Sequence, residues 1–237
     1  MTESEKAWSQ CEGSLVYFLR TSRPLRAPSE LETARSRGVS SGRYDFKIWN
    51  LIIRPPRVAY DESELGPSEF VAGGVRASRR DFQLRTSRGA LLACSYFAPT
   101  APGRCPVVVY LHGNSSSRLE AMQLVGALLS QRLALFCFDA AGCGRSSGDY
   151  VSLGWHERDD LQAVLAYVRS LPGCTGVGLW GRSMGAATAL MHASRDKELA
   201  ALCLDSSYAS LPQLMEEFGR SKHIPMAVPF RSISVSM

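Results

Sequence analysis

From Asp81 onward the hydrophobic positions come in solid blocks rather than in alternation: residues 107–111, 133–138, 177–180 and 199–204 are continuous apolar runs. A run without polar breaks is how a strand buried on both faces reads, so these blocks predict a parallel sheet with helices on each side. The segments between them carry a helical period instead. Ala121, Leu124, Val125 and Leu128 fall at i, i+3, i+4 and i+7, and so do Leu161, Val164, Leu165 and Val168. Glu157, Asp159 and Asp160 open the second helix, where the positive end of the helix dipole favours acids. Ahead of the blocks, residues 82–85 and 91–97 flank Ser87-Arg88-Gly89 and predict an antiparallel hairpin. Strand and helix in alternation give an α/β fold with a doubly wound, mostly parallel sheet.

The N-terminal third has no such rhythm. Residues 1–44 lack sustained periodicity and are rich in Ser, Arg and Glu, which predicts a disordered, basic N-terminal extension. In residues 45–80, Phe46, Ile48, Trp49, Leu51, Ile52 and Ile53 cluster ahead of Arg54-Pro55-Pro56-Arg57. Pro-Pro enforces an extended exit, so this stretch reads as an amphipathic element leading into a strap over the domain at 81–237. With Lys47, Arg54 and Arg57 at its flanks, residues 46–57 are also a candidate for weak peripheral membrane contact. Docking onto the domain is the favoured reading, because stable anchoring takes a second signal.

Composition narrows the class further. At 237 residues there is room for one domain and an appendage, and 45% apolar with 21% charged residues is globular composition. No apolar run approaches the roughly 20 residues of a membrane span. Thr2 stands where N-myristoylation requires glycine. Of the seven cysteines no two form Cys-x-x-Cys, and Cys94, Cys137 and Cys203 lie in apolar runs. That usage fits a reducing compartment, so we expect a cytoplasmic protein with no disulfide framework, metal or cofactor. The net charge of +5 is uneven: residues 1–90 hold 15 Lys and Arg against 11 Asp and Glu, the remainder 12 against 11. A solvated tail accounts for the excess, and without an aromatic-interleaved basic motif no nucleic-acid partner is expected.

Function in such sheets gathers at the carboxyl ends of the strands. The four blocks end in His112-Gly113-Asn114, in Asp139 followed by Gly142, Gly144 and Gly148, in Gly181-Arg182-Ser183-Met184-Gly185, and in Asp205-Ser206. Gly-x-Ser-x-Gly between a buried strand and a helix is the nucleophile-elbow arrangement, a sharp turn that lifts the serine hydroxyl above the sheet. The bland alternative is a chance match in a turn, since three fixed positions recur often. A serine acting on an acyl group needs two N–H donors aimed at the oxyanion. The residue after the nucleophile, Met184, supplies one, and Asn114 in the first strand-to-helix loop is the main-chain candidate for the other. His112 reads as a structural member of that loop. A competing dinucleotide fingerprint, Gly176-x-Gly178-x-x-Gly181, fails because a strand lies inside its supposed loop.

Together, His112-Gly113-Asn114, Asp139 with its glycine loop, Gly181-Arg182-Ser183-Met184-Gly185 and Leu204-Asp205-Ser206 resemble the α/β-hydrolase superfamily. The likeness runs from about residue 68 to about 218. It is nearest to the serine-aminopeptidase and monoglyceride-lipase-like branch, depalmitoylase-like hydrolases included. The resemblance implies hydrolysis of an ester, thioester or peptide bond in a small acyl or peptidyl substrate, through an acyl-enzyme on Ser183. It also implies an order of serine, acid, histidine, and here the sequence departs from it. The 54 residues after Ser183 hold the Asp205 strand, a helix near 211–218 and an irregular tail, so the last two strands with acid and base are expected to be missing. Asp205 and His223 are weak substitutes, and His192 lies on the nucleophile's own helix. The expectations are an impaired serine hydrolase with an incomplete fold or, as the alternative, a non-catalytic α/β-hydrolase-like binding module.

Overall fold

The computed structural model describes residues 52–210 and Leu214. The expected extension at 1–44, most of the 46–53 cluster, nearly all of the 211–218 helix, and His223 lie outside the described residues.

A seven-stranded sheet organises the chain. The strands are β1 (Glu69–Ala72), β2 (Val75–Arg85), β3 (Leu91–Pro99), β4 (Cys105–Leu111), β5 (Ala134–Phe138), β6 (Cys174–Arg182) and β7 (Leu199–Asp205). Their order in space is β1-β2-β3-β5-β4-β6-β7. The pairs β4–β5, β4–β6 and β6–β7 are parallel, whereas β1, β2, β3 and β5 meet antiparallel. Five of the seven strands therefore point one way, which is the mostly parallel α/β sheet that the apolar blocks predict.

Helices cover both faces. A 3-10 segment (Arg118–Leu124) running into α1 (Val125–Ser130) packs on one side, and α2 (Glu157–Ser170) with α3 (Met184–Ala193) on the other. The solid runs follow from this layering. Along β4, Val107, Val109 and Leu111 join Leu161, Val164, Leu165 and Val168 of α2, while Val108 and Tyr110 join Val125, Leu128 and Leu129 of α1. With no wet face, alternation has no place in the strand.

Two boundaries differ from the pattern reading. The first helical repeat splits at Leu124 into a 3-10 turn, whose start the Ser117 hydroxyl caps by accepting from Leu119 N–H at 3.4 Å, and a short α-helix. The sheet also begins earlier than Phe82: β1 and the start of β2 occupy residues 69–80, the second half of the expected strap. Arginines hid them. Arg76, Arg79 and Arg80 interrupt the apolar pattern, yet the strand is held by its antiparallel ladder and needs no continuous apolar run there.

Candidate active site

The strand order decides where chemistry can gather. β4 and β6 are neighbours, with Leu111 paired to Gly181, so the loop leaving β4 and the turn leaving β6 emerge side by side. Ser183 stands in that turn at φ 52° and ψ −112°, between the last residue of β6 and the first of α3. Such dihedrals cost a non-glycine residue about 1–3 kcal/mol and persist only where the surroundings enforce them. Here the enforcement is visible. The Ser183 N–H donates to the Asp205 carbonyl at 2.8 Å, and its carbonyl accepts from Ala187 N–H at 3.0 Å. Either flanking glycine leaves no room for a side chain. A Cβ on Gly181 would overlap Gly185 and lie 2.6 Å from Ala186 N, and one on Gly185 would overlap the Leu111 carbonyl and lie 2.8 Å from the His112 carbonyl oxygen. Helix α3 thus enters hard against β4, as Ala186, Ala187 and Ala189 allow.

The β4 loop completes the surroundings of Ser183. A Cβ on Gly113 would sit 3.8 Å from Ser183 Cβ, so the loop is in contact with the turn. The Asn114 side chain is held within the protein: Nδ2 donates to the Ile52 carbonyl at 3.0 Å and Oδ1 accepts from Ser115 N–H at 2.9 Å. The Asn114 main-chain N–H is the candidate donor of this loop to a ligand. Met184 N–H, at the first position of α3, has no intrahelical acceptor and lies at the positive end of the helix dipole.

His112 is buried, and its Nε2 accepts the Ala140 N–H at 3.0 Å while Nδ1 faces the Gly113 carbonyl at 2.7 Å. That pattern assigns the neutral tautomer with the proton on Nδ1 and leaves no free lone pair for a base. His192, buried on α3, engages the Arg158 carbonyl and Asp196. The Asp205 carboxylate takes the Ser206 hydroxyl at 2.8 Å. Among the described residues, the Ser183 hydroxyl has no hydrogen-bond partner.

Two carboxylates hold this end of the sheet together, and only Asp139 is marked by a sequence motif. Glu120, in the 3-10 segment, accepts from Tyr110 Oη at 2.7 Å, pairs with Arg182 Nη1 at 3.3 Å and receives Gly113 N–H at 3.4 Å. One carboxylate therefore ties the strand end, the β4 loop and the residue before Ser183. Burial first, and then Glu120, pushes the Tyr110 phenol far above its ordinary value, so it stays a donor. A second hub is Asp139, fully buried at the end of β5. It accepts from Tyr60 Oη at 2.7 Å, Arg118 N–H at 2.7 Å and Arg145 N–H at 2.8 Å. Arg57 donates to the carbonyls of Gly144, Ser146 and Gly148, and Ile53 O accepts from Val151 N–H at 2.7 Å. Residues 52–60 thereby lie across the carboxyl ends of β4 and β5. The lone acid Glu120 among Leu119, Ala121 and Met122 is the one feature of the sequence that hints at a buried role.

The family model for the alpha/beta hydrolase family matches residues 108–234, which takes in the β4 loop, the Ser183 turn and the end of β7. The chain belongs to the alpha/beta hydrolase family. It is similar to the esterase Pf2001 of Pyrococcus furiosus, at 25% identity and a TM-score of 0.51 over 70% of this chain and 68% of that one. Among curated relatives it is 30% identical over 95 residues to YqkD of Bacillus subtilis, covering 39% of this chain and 31% of YqkD. It is 32% identical over 109 residues to the 2,6-dihydropseudooxynicotine hydrolase of Paenarthrobacter nicotinovorans, covering 44% of this chain and 28% of that enzyme. The chain spans less than two thirds of the length of the curated relatives it matches. No helix among the described residues is long and apolar enough to cross a membrane.

Proposed function

We propose that this chain is a serine hydrolase scaffold acting on an ester, thioester or peptide bond through Ser183. The observation that carries the reading is the Ser183 turn itself: a non-glycine residue at φ 52°, flanked by two glycines that no Cβ fits, in contact with a loop offering a second N–H. In the reaction Ser183 Oγ attacks the carbonyl carbon, and its proton must pass to a base as the bond forms. Negative charge then grows on the carbonyl oxygen between the N–H groups of Met184 and Asn114, and water later releases the acyl group. The similarity to an esterase and to a hydrolase from two other organisms supports this class of chemistry. Within the family, the serine-aminopeptidase and monoglyceride-lipase-like branch is the proposed place, on the His112-Gly113-Asn114 loop. The substrate is then a small acyl or peptidyl compound, and the protein a cytoplasmic one that takes no cofactor. Residues 46–57 are the proposed site of any peripheral membrane contact.

A second reading has one observation in its favour. No described histidine or carboxylate meets the Ser183 hydroxyl, so the described residues supply a nucleophile and oxyanion donors without a base. A non-catalytic binding module would look the same. Loss of the triad's base costs several orders of magnitude but leaves the oxyanion hole useful. The test is covalent labelling of the 237-residue chain by a fluorophosphonate, with the adduct mapped by mass spectrometry. We expect slow labelling confined to Ser183 and abolished by Ser183→Ala. Adducts spread over exposed serines such as Ser206, with none on Ser183, would end the nucleophile assignment. Fast turnover would show a local base, and His223→Ala would then identify it.

A further inference from the structure

At the opposite end of the sheet two free cysteines face each other. Cys105 opens β4, Cys174 opens β6, and the two are direct partners in the parallel ladder. Cys105 N–H donates to the Gly173 carbonyl at 3.0 Å, which seats the pair in register. Adjacent strands lie about 4.8 Å apart, inside the range of roughly 4.4–6.8 Å that Cα atoms span across a disulfide. Both side chains pack at the margin of the same core cluster, so they leave the sheet on one face. The ladder is irregular between Cys105 and Val107, immediately beside the pair.

The other cysteines are placed differently. Cys94 and Cys137 lie on opposite faces of the sheet in separate clusters, Cys203 is paired with Trp180, and Cys143 is buried in a loop. Among the described residues no other two cysteines are ladder partners. Cys105 and Cys174 are also half-buried where Cys94, Cys137, Cys143 and Cys203 are buried. Beside them a cavity of about 220 Å³ opens between Ser78, Arg80, Tyr96, Ala98, Leu171 and Pro172. Tyr96 links cavity and thiols: burial first, then Cys105 and Cys174, push its phenol up to about 12.

We propose that Cys105 and Cys174 form a redox modification site, a cross-strand dithiol that a hydroperoxide entering from this cavity closes to a disulfide. One thiolate attacks the peroxide oxygen, the O–O bond breaks, a sulfenic acid forms, and the departing hydroxide (or alkoxide) takes a proton from solvent to leave as water (or an alcohol). The second thiolate attacks that sulfur, the S–S bond forms, and hydroxide leaves as water after taking a proton. Two electrons pass from the thiols to the peroxide. Burial pushes the Cys105 thiol up, against the opposing Ala134 N–H, so little thiolate is present at neutral pH. The pair therefore closes under sustained peroxide and faster as pH rises, unlike a low-pKa sensor. The bond staples β4 to β6, the two strands that carry the His112 loop and Ser183 at their far ends. None of this depends on the hydrolase reading.

The test reads mass, not activity. The folded 237-residue chain is treated with hydrogen peroxide, alkylated, digested with trypsin without reduction, and analysed by mass spectrometry. The expected product joins peptide 105–118 to peptide 170–182, with the loss of two hydrogen atoms and return to free thiols on reduction. Its rate should rise about tenfold per pH unit below the thiol pKa, following the thiolate fraction. Cys105→Ser or Cys174→Ser should remove the product and leave the melting temperature of the reduced protein unchanged within a few degrees. Recovery of both peptides unlinked from a folded, oxidised chain overturns the proposal. So does linkage of either cysteine to any other.

Discussion

Glu120 is where the geometry makes its sharpest demand. Replacing it with alanine removes the acceptor of a buried Tyr110 hydroxyl at 2.7 Å, a weaker one for Gly113 N–H at 3.4 Å, and the partner of Arg182. A buried donor left unsatisfied costs about 1–3 kcal/mol. The Arg182 side chain is 50% exposed, so that ion pair adds about 0–1 kcal/mol after solvent screening. The sum is about 1–4 kcal/mol, or a fall in melting temperature of about 2–16 °C for a chain of this size. Glu120→Gln keeps one oxygen for Tyr110 and should lose only about 1 kcal/mol. The decisive measurement is a double-mutant cycle by denaturant unfolding. In a Tyr110→Phe background the orphaned hydroxyl no longer exists, so Glu120→Ala should cost at least about 1 kcal/mol less there than in the wild type. Labelling of Ser183 should slow in Glu120→Ala and be largely kept in Glu120→Gln, because the carboxylate acts by seating the β4 loop. Equal costs in both backgrounds would show that the Tyr110 contact carries no energy and would remove Glu120 from its place as a hub.

Two further expectations rest on equally local geometry. Gly181→Ala and Gly185→Ala should each cost more than about 3 kcal/mol or yield insoluble protein, since the added methyl meets backbone that cannot give way. Gly103→Ala, with nothing within 4 Å, should stay within about 0.5 kcal/mol of the wild type by thermal melting. Two acids should respond to pH with opposite sign. Burial raises Asp160 above its ordinary 3.8, more than Thr86 and Arg88 lower it, so its stabilising protonated form is fully present below 3.8 and is lost as pH rises through the folded value. Asp196 is the reverse: burial works upward, but Glu198 N–H and the Arg169 guanidinium outweigh it and hold the carboxyl low, so its stability is present above 3.8 and lost as pH falls. Unfolding free energies should therefore separate from the wild type with pH above 3.8 for Asp160→Asn and below 3.8 for Asp196→Asn, the wild type losing its relative stability as pH rises in the first case and as pH falls in the second. Parallel curves would contradict both assignments.

Features that depend on a few neighbouring residues are legible in the sequence. The blocks at 107–111, 133–138, 177–180 and 199–204 form β4 to β7, because a strand with both faces covered must be apolar at every position. The turn at Ser183 is equally readable, since two glycines around one serine between a strand and a helix encode a close approach within five residues. Strand order is not. Nothing in residues 91–138 says that β5 inserts between β3 and β4, yet that insertion leaves β4 beside β6 and brings Gly113 against Ser183. The polar hubs are hidden for the same reason. Tyr60 meets Asp139 across 79 positions, Arg57 meets the glycine loop across 87 to 91, and Cys105 meets Cys174 through a ladder that only the folded sheet creates. Periodicity records which face of its own element a residue occupies. Which distant residue waits on that face is settled when the sheet closes, and it is that closure which makes Glu120 the link between the β4 loop and the Ser183 turn.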